Sequence, residues 1–137
     1  MNLSVRKKER MSNSMNLSRS KQLVEELKML KISSPDIQAS AIVSVDGLII
    51  ASALPANTGE DRVSAMSAAL LSLGERISIE LKRGNLNQVF IRGDLGYVII
   101  TSVGREAVLT VMAKADAKLG LIFFDINNTA RKLEALI

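Results

Sequence analysis

From Ser20 the apolar positions recur with a helical period. Leu23, Val24, Leu27 and Leu30 share one face, with Lys and Glu residues opposite. Ser33-Ser34-Pro35-Asp36 stops that helix. The period then shortens, and residues 37–44 and 48–53 predict two strands. Between them Asp46-Gly47 offers two positive-φ positions for a tight hairpin turn. Residues 55–59 read as a loop. A second helix starts at Glu60 or Asp61, where carboxylates suit the positive end of the helix dipole. It runs to about Leu81, with Gly84 as its stop. Residues 87–92, 97–102 and 107–113 predict three more strands, joined by the short connections Gly93-Asp94-Leu95-Gly96 and Gly104-Arg105-Glu106. A last helix runs from about Asp116 or Lys118 to Leu136.

This order, with three hairpins, predicts an α+β fold with a mostly antiparallel sheet, not a doubly wound parallel one. The strands are apolar on both alternations: Ala39, Ala41 and Val43 against Ile42, and Val98 and Ile100 against Ile99. Such strands need cover on both faces, and the three helices supply it.

The middle helix is the most informative segment. One stripe is large and apolar (Val63, Met66, Leu70, Leu73, Ile77, Leu81) and is expected on the sheet. A second is small: Ala65, Ala68, Ala69 and Ser72. Together they make the helix apolar around too much of its circumference for a simple surface helix. A helix tucked beneath a loop is the plain reading, but no further element is left to cover it. A symmetric second copy would cover it, because a two-fold dimer repeats one self-complementary patch. Strand 87–92 is a candidate sheet edge, which pairing with its own copy would remove. The expected dimer interface is therefore Ala65, Ala68, Ala69 and Ser72, together with Val89, Phe90 and Ile91.

Composition narrows the chemistry. Of 137 residues, 47% are hydrophobic and 23% charged, the balance of a soluble globular domain. The aromatics are Tyr97, Phe90, Phe123 and Phe124, too few for a base-stacking platform. There is no Cys and no His, which excludes disulfides, thiol nucleophiles, Cys/His zinc sites and histidine acid–base steps. No G-x-x-x-x-G-K-[ST] or G-x-G-x-x-G loop is present. Glu60 and Asp61 read as helix-start carboxylates, not metal ligands. Arg92 reads as an edge charge, Arg105 and Glu106 as solvated turn residues, and Met66 and Met112 as core fillers. No catalytic residue, cofactor or metal is assigned.

Charge is unevenly placed. Residues 1–22 hold six basic groups and one acid, net +5, and residues 23–137 hold 12 basic and 13 acidic groups, net −1. The basic balance belongs to the tail, so the domain lacks the basic face that a nucleic-acid partner would want. Residues 1–18 are read as a disordered basic leader and 19–137 as one domain. MNLS occurs at 1–4 and again at 15–18, which makes Met11 and Met15 alternative starts. The sharper reading of the leader is an electrostatic anchor to acidic lipid or an acidic partner. The longest apolar runs fall far short of the ~20 residues of a membrane span. No apolar segment follows the first charges, as a secretory signal would require. A cytoplasmic location is expected.

With the elements in order, the chain resembles the roadblock/dynein light chain family. The residues carrying the resemblance are the hairpin 41–52 (AIVSVDGLIIAS), the small-rich helix 65–75 (AMSAALLSLGE), the hairpin 89–100 (VFIRGDLGYVII) and the terminal 117–121 (AKLGL). The likeness covers roughly residues 20–137 and is nearest to prokaryotic stand-alone members similar to the mutual gliding protein that regulates a Ras-like GTPase. It implies a roadblock, profilin-like fold with a five-stranded antiparallel sheet between one helix and two. It also implies a homodimer through the middle helices and one edge strand, with a continuous ten-stranded sheet. Family members regulate or anchor small GTPases. The expected function is thus a non-enzymatic homodimeric regulator of a small Ras-like GTPase, with GTPase activation as one form of that regulation. The alternatives are a scaffold or adaptor that anchors a GTPase or motor complex without affecting hydrolysis, and a small-molecule sensor with a ligand-sized apolar cavity. The expected partner-binding rim is Ser64, Ala65, Ala68, Ser72, Glu75 and Arg76.

Overall fold

Eight elements run in the predicted order: α1 (Leu3–Ser33), β1 (Ile37–Ser44), β2 (Ile49–Ala53), α2 (Glu60–Glu80), β3 (Gln88–Gly93), β4 (Gly96–Val103), β5 (Ala107–Lys114) and α3 (Leu119–Leu136). The computed structural model describes residues 3–137, leaving aside the side chains at 3, 8, 9 and 11–17. Met1 and Asn2 of the leader lie outside the described residues. All strand pairs are antiparallel, in the order β2-β1-β5-β4-β3. The hairpins β1–β2, β3–β4 and β4–β5 pair neighbours, and β1 crosses over to pair with β5. That leaves β3 and β2 as the two edges.

Both alternations are used, as strands apolar on each face require. On one face Ile42, Ile99, Leu109 and Val111 meet Leu23, Leu27 and Leu30 of α1 and Ile122, Ile126 and Leu133 of α3. On the other face Ala41, Val43, Ile100 and Val108 meet Leu71 of α2. The sheet therefore lies between two helices and one.

Three local expectations change. The first is the leader: α1 begins at Leu3, where disorder was expected over 1–18, and the backbone passes position 18 inside a single helix. Lys, Arg, Glu, Met and Leu are good helix formers, and this propensity favours a helix before any side chain is buried. Residues 4–7, 10 and 18–22 are exposed, and burial starts at Leu23.

The second is the β1–β2 turn. Only Gly47 takes positive φ (86°), while Val45 and Asp46 keep negative φ. The Gly47 amide donates to the Ser44 carbonyl at 3.0 Å, and the Leu48 amide donates to Ser44 Oγ at 3.1 Å. The connection is one residue longer than a two-residue turn, so a single left-handed glycine closes it.

The third is the end of α2. The left-handed residue that closes the helix is Lys82 (φ 58°), two positions before the expected Gly84, which is itself at positive φ (88°) in the connection that follows. The Arg83 amide donates to the Ser78 carbonyl at 2.7 Å and the Lys82 amide to the Ile79 carbonyl at 3.0 Å. This is the Schellman pattern of bonds that satisfies the last helical carbonyls.

Candidate interaction surface

The roll of α2 about its axis decides what the molecule presents. Glu60 and Asp61 occupy the first turn, and Glu60 accepts a 2.7 Å hydrogen bond from Ser52 Oγ. The residues set against the sheet are Ser64, Ser67 and Leu71. Ser67 Oγ and Thr110 Oγ1 share a 2.8 Å hydrogen bond, both residues being buried. Gly74 continues this inner side. A Cβ there would come within 2.9 Å of Leu86 Cδ2 and 3.2 Å of Val89 Cγ2. Small side chains let the helix approach closely, and a hydroxyl pair seals the contact.

The large stripe expected on the sheet is consequently turned outward in most of its length. Met66 (65% exposed), Leu73 (55%), Ile77 (49%) and Leu81 (65%) face solvent, while Val63 and Leu70 are half-buried at the flank. Met66 is thus not a core filler. Met112 is half-buried and lines a groove. That groove, of about 520 Å³, runs between α2 and the β3–β5 side of the sheet, walled by Met66, Leu70 and Leu73 and by Ile91, Val98 and Met112. It is a surface groove, and Arg62 and Thr58 stand on its border.

The expected site residues divide accordingly. Ala65, Ala69 and Ser72 are exposed on the outer side of α2. Ala68 is half-buried; its Cβ lies 3.4 Å from the point where a Cβ on Gly47 would sit, so it faces the β1–β2 hairpin. Ser64 is only 4% exposed and its hydroxyl donates to the Asp61 carbonyl, which removes it from the rim. Glu75 borders a second cleft with Val45 and Arg105. Arg76 is exposed and pairs with Glu80 at 3.0 Å. The six rim residues therefore do not share one face.

On the edge strand, Val89 and Ile91 lie on the α2 side, Val89 half-buried and Ile91 43% exposed. Phe90 points to the opposite face, stacked on Tyr97 with ring centroids 5.4 Å apart and tilted against Phe123 at 5.8 Å. Arg92, Arg105 and Glu106 are exposed, as expected. Among the described residues no group of three or more His, Cys, Asp or Glu is placed to hold a metal ion. None of their helices is long and apolar enough to cross a membrane. Sequence reasoning missed the groove wall at Met66, Leu73 and Met112. The signal was the number of large apolar residues on α2, more than one sheet face can accept.

A five-stranded antiparallel sheet with two helices on one face and one on the other defines the roadblock, profilin-like class of fold. The Roadblock/LC7 domain profile matches residues 23–113, and the chain belongs to that family. Among curated relatives, the uncharacterized protein MJ1340 of Methanocaldococcus jannaschii is 36% identical over 100 residues, covering 73% of this chain and 87% of the relative. Among solved structures, Myxococcus xanthus MglB superposes with a TM-score of 0.79 at 18% identity, covering 84% of this chain and 94% of that one. A structure of MglB with a tetrameric arrangement gives a TM-score of 0.80 at 15% identity, covering 86% and 89%. At these identities the two structures are similar in fold.

Proposed function

We propose that this chain is a cytoplasmic, homodimeric regulator of a small Ras-like GTPase that performs no chemistry of its own. Membership of the Roadblock/LC7 family, with MglB-like structures among its neighbours, supports a GTPase-regulator role at family level. The observation that carries the reading is the apolar flank of α2 lying on the same side as the free edge of β3. Met66, Leu73 and Ile91 are exposed together, beside the free outer edge of β3. Pairing β3 with its two-fold copy removes that edge. It also brings the partner's middle helix over the groove. Dimerisation then consumes Met66, Ala69 and Leu73 with Val89 and Ile91. Ala65, Ser72 and Arg76 remain as a rim of small and charged residues around an apolar seam, the anatomy of a reversible partner site.

Single-turnover GTP hydrolysis by the cognate GTPase, with and without the dimer, tests this. Acceleration on binding makes the chain a GTPase activator. Binding at an unchanged rate makes it a scaffold on the same surface. Failure to bind any GTPase of the same cell overturns both. The sensor reading places an apolar ligand in the groove of a single protomer, which predicts that such a ligand competes with dimerisation.

A further inference from the structure

We propose that the outer surface of the α1/α3 layer, led by the basic arm of α1, docks on an anionic lipid bilayer. This face is opposite α2, so the proposal stands independently of the GTPase reading.

Two sets of residues carry it. The first is charge. Residues 3–22 extend about 30 Å as helix, and their exposed cations include Arg6, Lys7, Arg10 and Lys21. At about 100° per residue these four fall in one stripe, turned away from the side marked by Leu23, Leu27 and Leu30, while a fifth exposed cation, Arg19, falls on the leucine side. The net charge of residues 1–22 is +5, whereas the rest of the chain is close to neutral. The second set is apolar. Met29 (52% exposed) and Ile32 (70%) continue the outer side of α1, and Leu121 (63%) and Phe124 (64%) project from α3 away from the sheet. Phosphates of a nucleic acid would reward the cations and leave Ile32 and Phe124 in water. An anionic bilayer rewards both, through its surface potential and its apolar interior. In a dimer with a continuous sheet the two α1/α3 layers lie on one side, so two weak contacts would act together.

The test is flotation of the full chain with vesicles of phosphatidylcholine containing phosphatidylglycerol, against phosphatidylcholine alone, in about 0.1 M salt. Binding is expected to the anionic vesicles only, and to be lost in about 1 M salt. A cation beside such a surface strengthens binding roughly fivefold, so the triple change Arg6→Gln, Lys7→Gln, Arg10→Gln should weaken it at least tenfold. The pair Ile32→Ser and Phe124→Ser, both exposed, should weaken it severalfold with the helical circular dichroism unchanged. Equal binding to neutral vesicles, no binding to anionic ones, or binding unmoved by either variant overturns the proposal. So does tighter binding to a short DNA duplex than to the anionic vesicles.

Discussion

Ser67 and Thr110 join α2 to the central strand β5 through a 2.8 Å hydrogen bond between two buried hydroxyls. With Ser64 and Gly74 on the same side of the helix, this contact selects a thin face for the sheet. The larger side chains at Met66, Leu73 and Ile77 are left to point outward. The interaction surface is thus a consequence of how the core is closed.

That bond predicts non-additive stability. Removing one hydroxyl leaves the other buried without a partner, so Ser67→Ala and Thr110→Val should each cost about 1–3 kcal/mol. The double variant removes both polar groups and should cost clearly less than the sum of the singles. Urea denaturation of the four proteins measures it. Strict additivity would mean that the pair does not set the roll of α2.

Much of this architecture was legible beforehand, and the exceptions share a cause. Strand alternation at Ala41–Ile42–Val43 and at Val98–Ile99–Ile100 signalled a sheet covered twice, and the short connections signalled hairpins. The edge position of residues 87–92 followed from their place at the start of the last three strands. The roll of α2 was not legible, because a core face and an interface face are both apolar in sequence. A hydrophobicity argument sends Met66 and Leu73 inward, whereas close packing chose Ser64 and Ser67. The start of α1 failed for the opposite reason. Low hydrophobicity argued against order, but helix propensity needs no burial to set a local conformation.

The left-handed Lys82 gives a stabilising substitution. A non-glycine residue at positive φ is strained by the approach of its Cβ to the backbone, a cost of about 1–2 kcal/mol. Lys82→Gly relieves this and pays part of it back as unfolded-chain entropy. The expected gain is about 0.5–1 kcal/mol, read as a higher urea midpoint at an unchanged slope. A loss of stability would show that the lysine side chain makes a contact worth more than the strain.

The dimer is best probed at Ala69. Ala68 is a poor site for this, since it is half-buried against the β1–β2 hairpin, and a long side chain there would disturb the protomer itself. Ala69 is exposed in the protomer and lines the groove. Ala69→Arg would force a charge into the helix seam. Light scattering at micromolar concentration should give about twice the chain mass of 14.8 kDa for the natural protein and a value near that mass for the variant. A natural protein of single-chain mass ends the dimer reading, and a variant that still dimerises moves the interface elsewhere.

Arg76 tests the partner face without touching the fold. Its guanidinium and Glu80 form an exposed pair at 3.0 Å, with the side chains 75% and 64% accessible. Such i,i+4 pairs contribute no more than about 0.5 kcal/mol. A glutamate in its place adds a like-charge repulsion of similar size. Arg76→Glu should therefore lower stability by less than about 1 kcal/mol and leave the dimer mass unchanged. Its effect is expected at the rim, where a reversed charge meets whatever the arginine faces in the partner and repels it. Titration calorimetry with the cognate GTPase should show binding at least tenfold weaker. A steep salt dependence of the natural complex, flattened in the variant, would tie the loss to charge and not to a shifted helix. If the variant binds as the natural protein does, Arg76 is not at the contact. The GTPase then engages another surface, and the cleft bordered by Glu75 and Arg105 becomes the next to test.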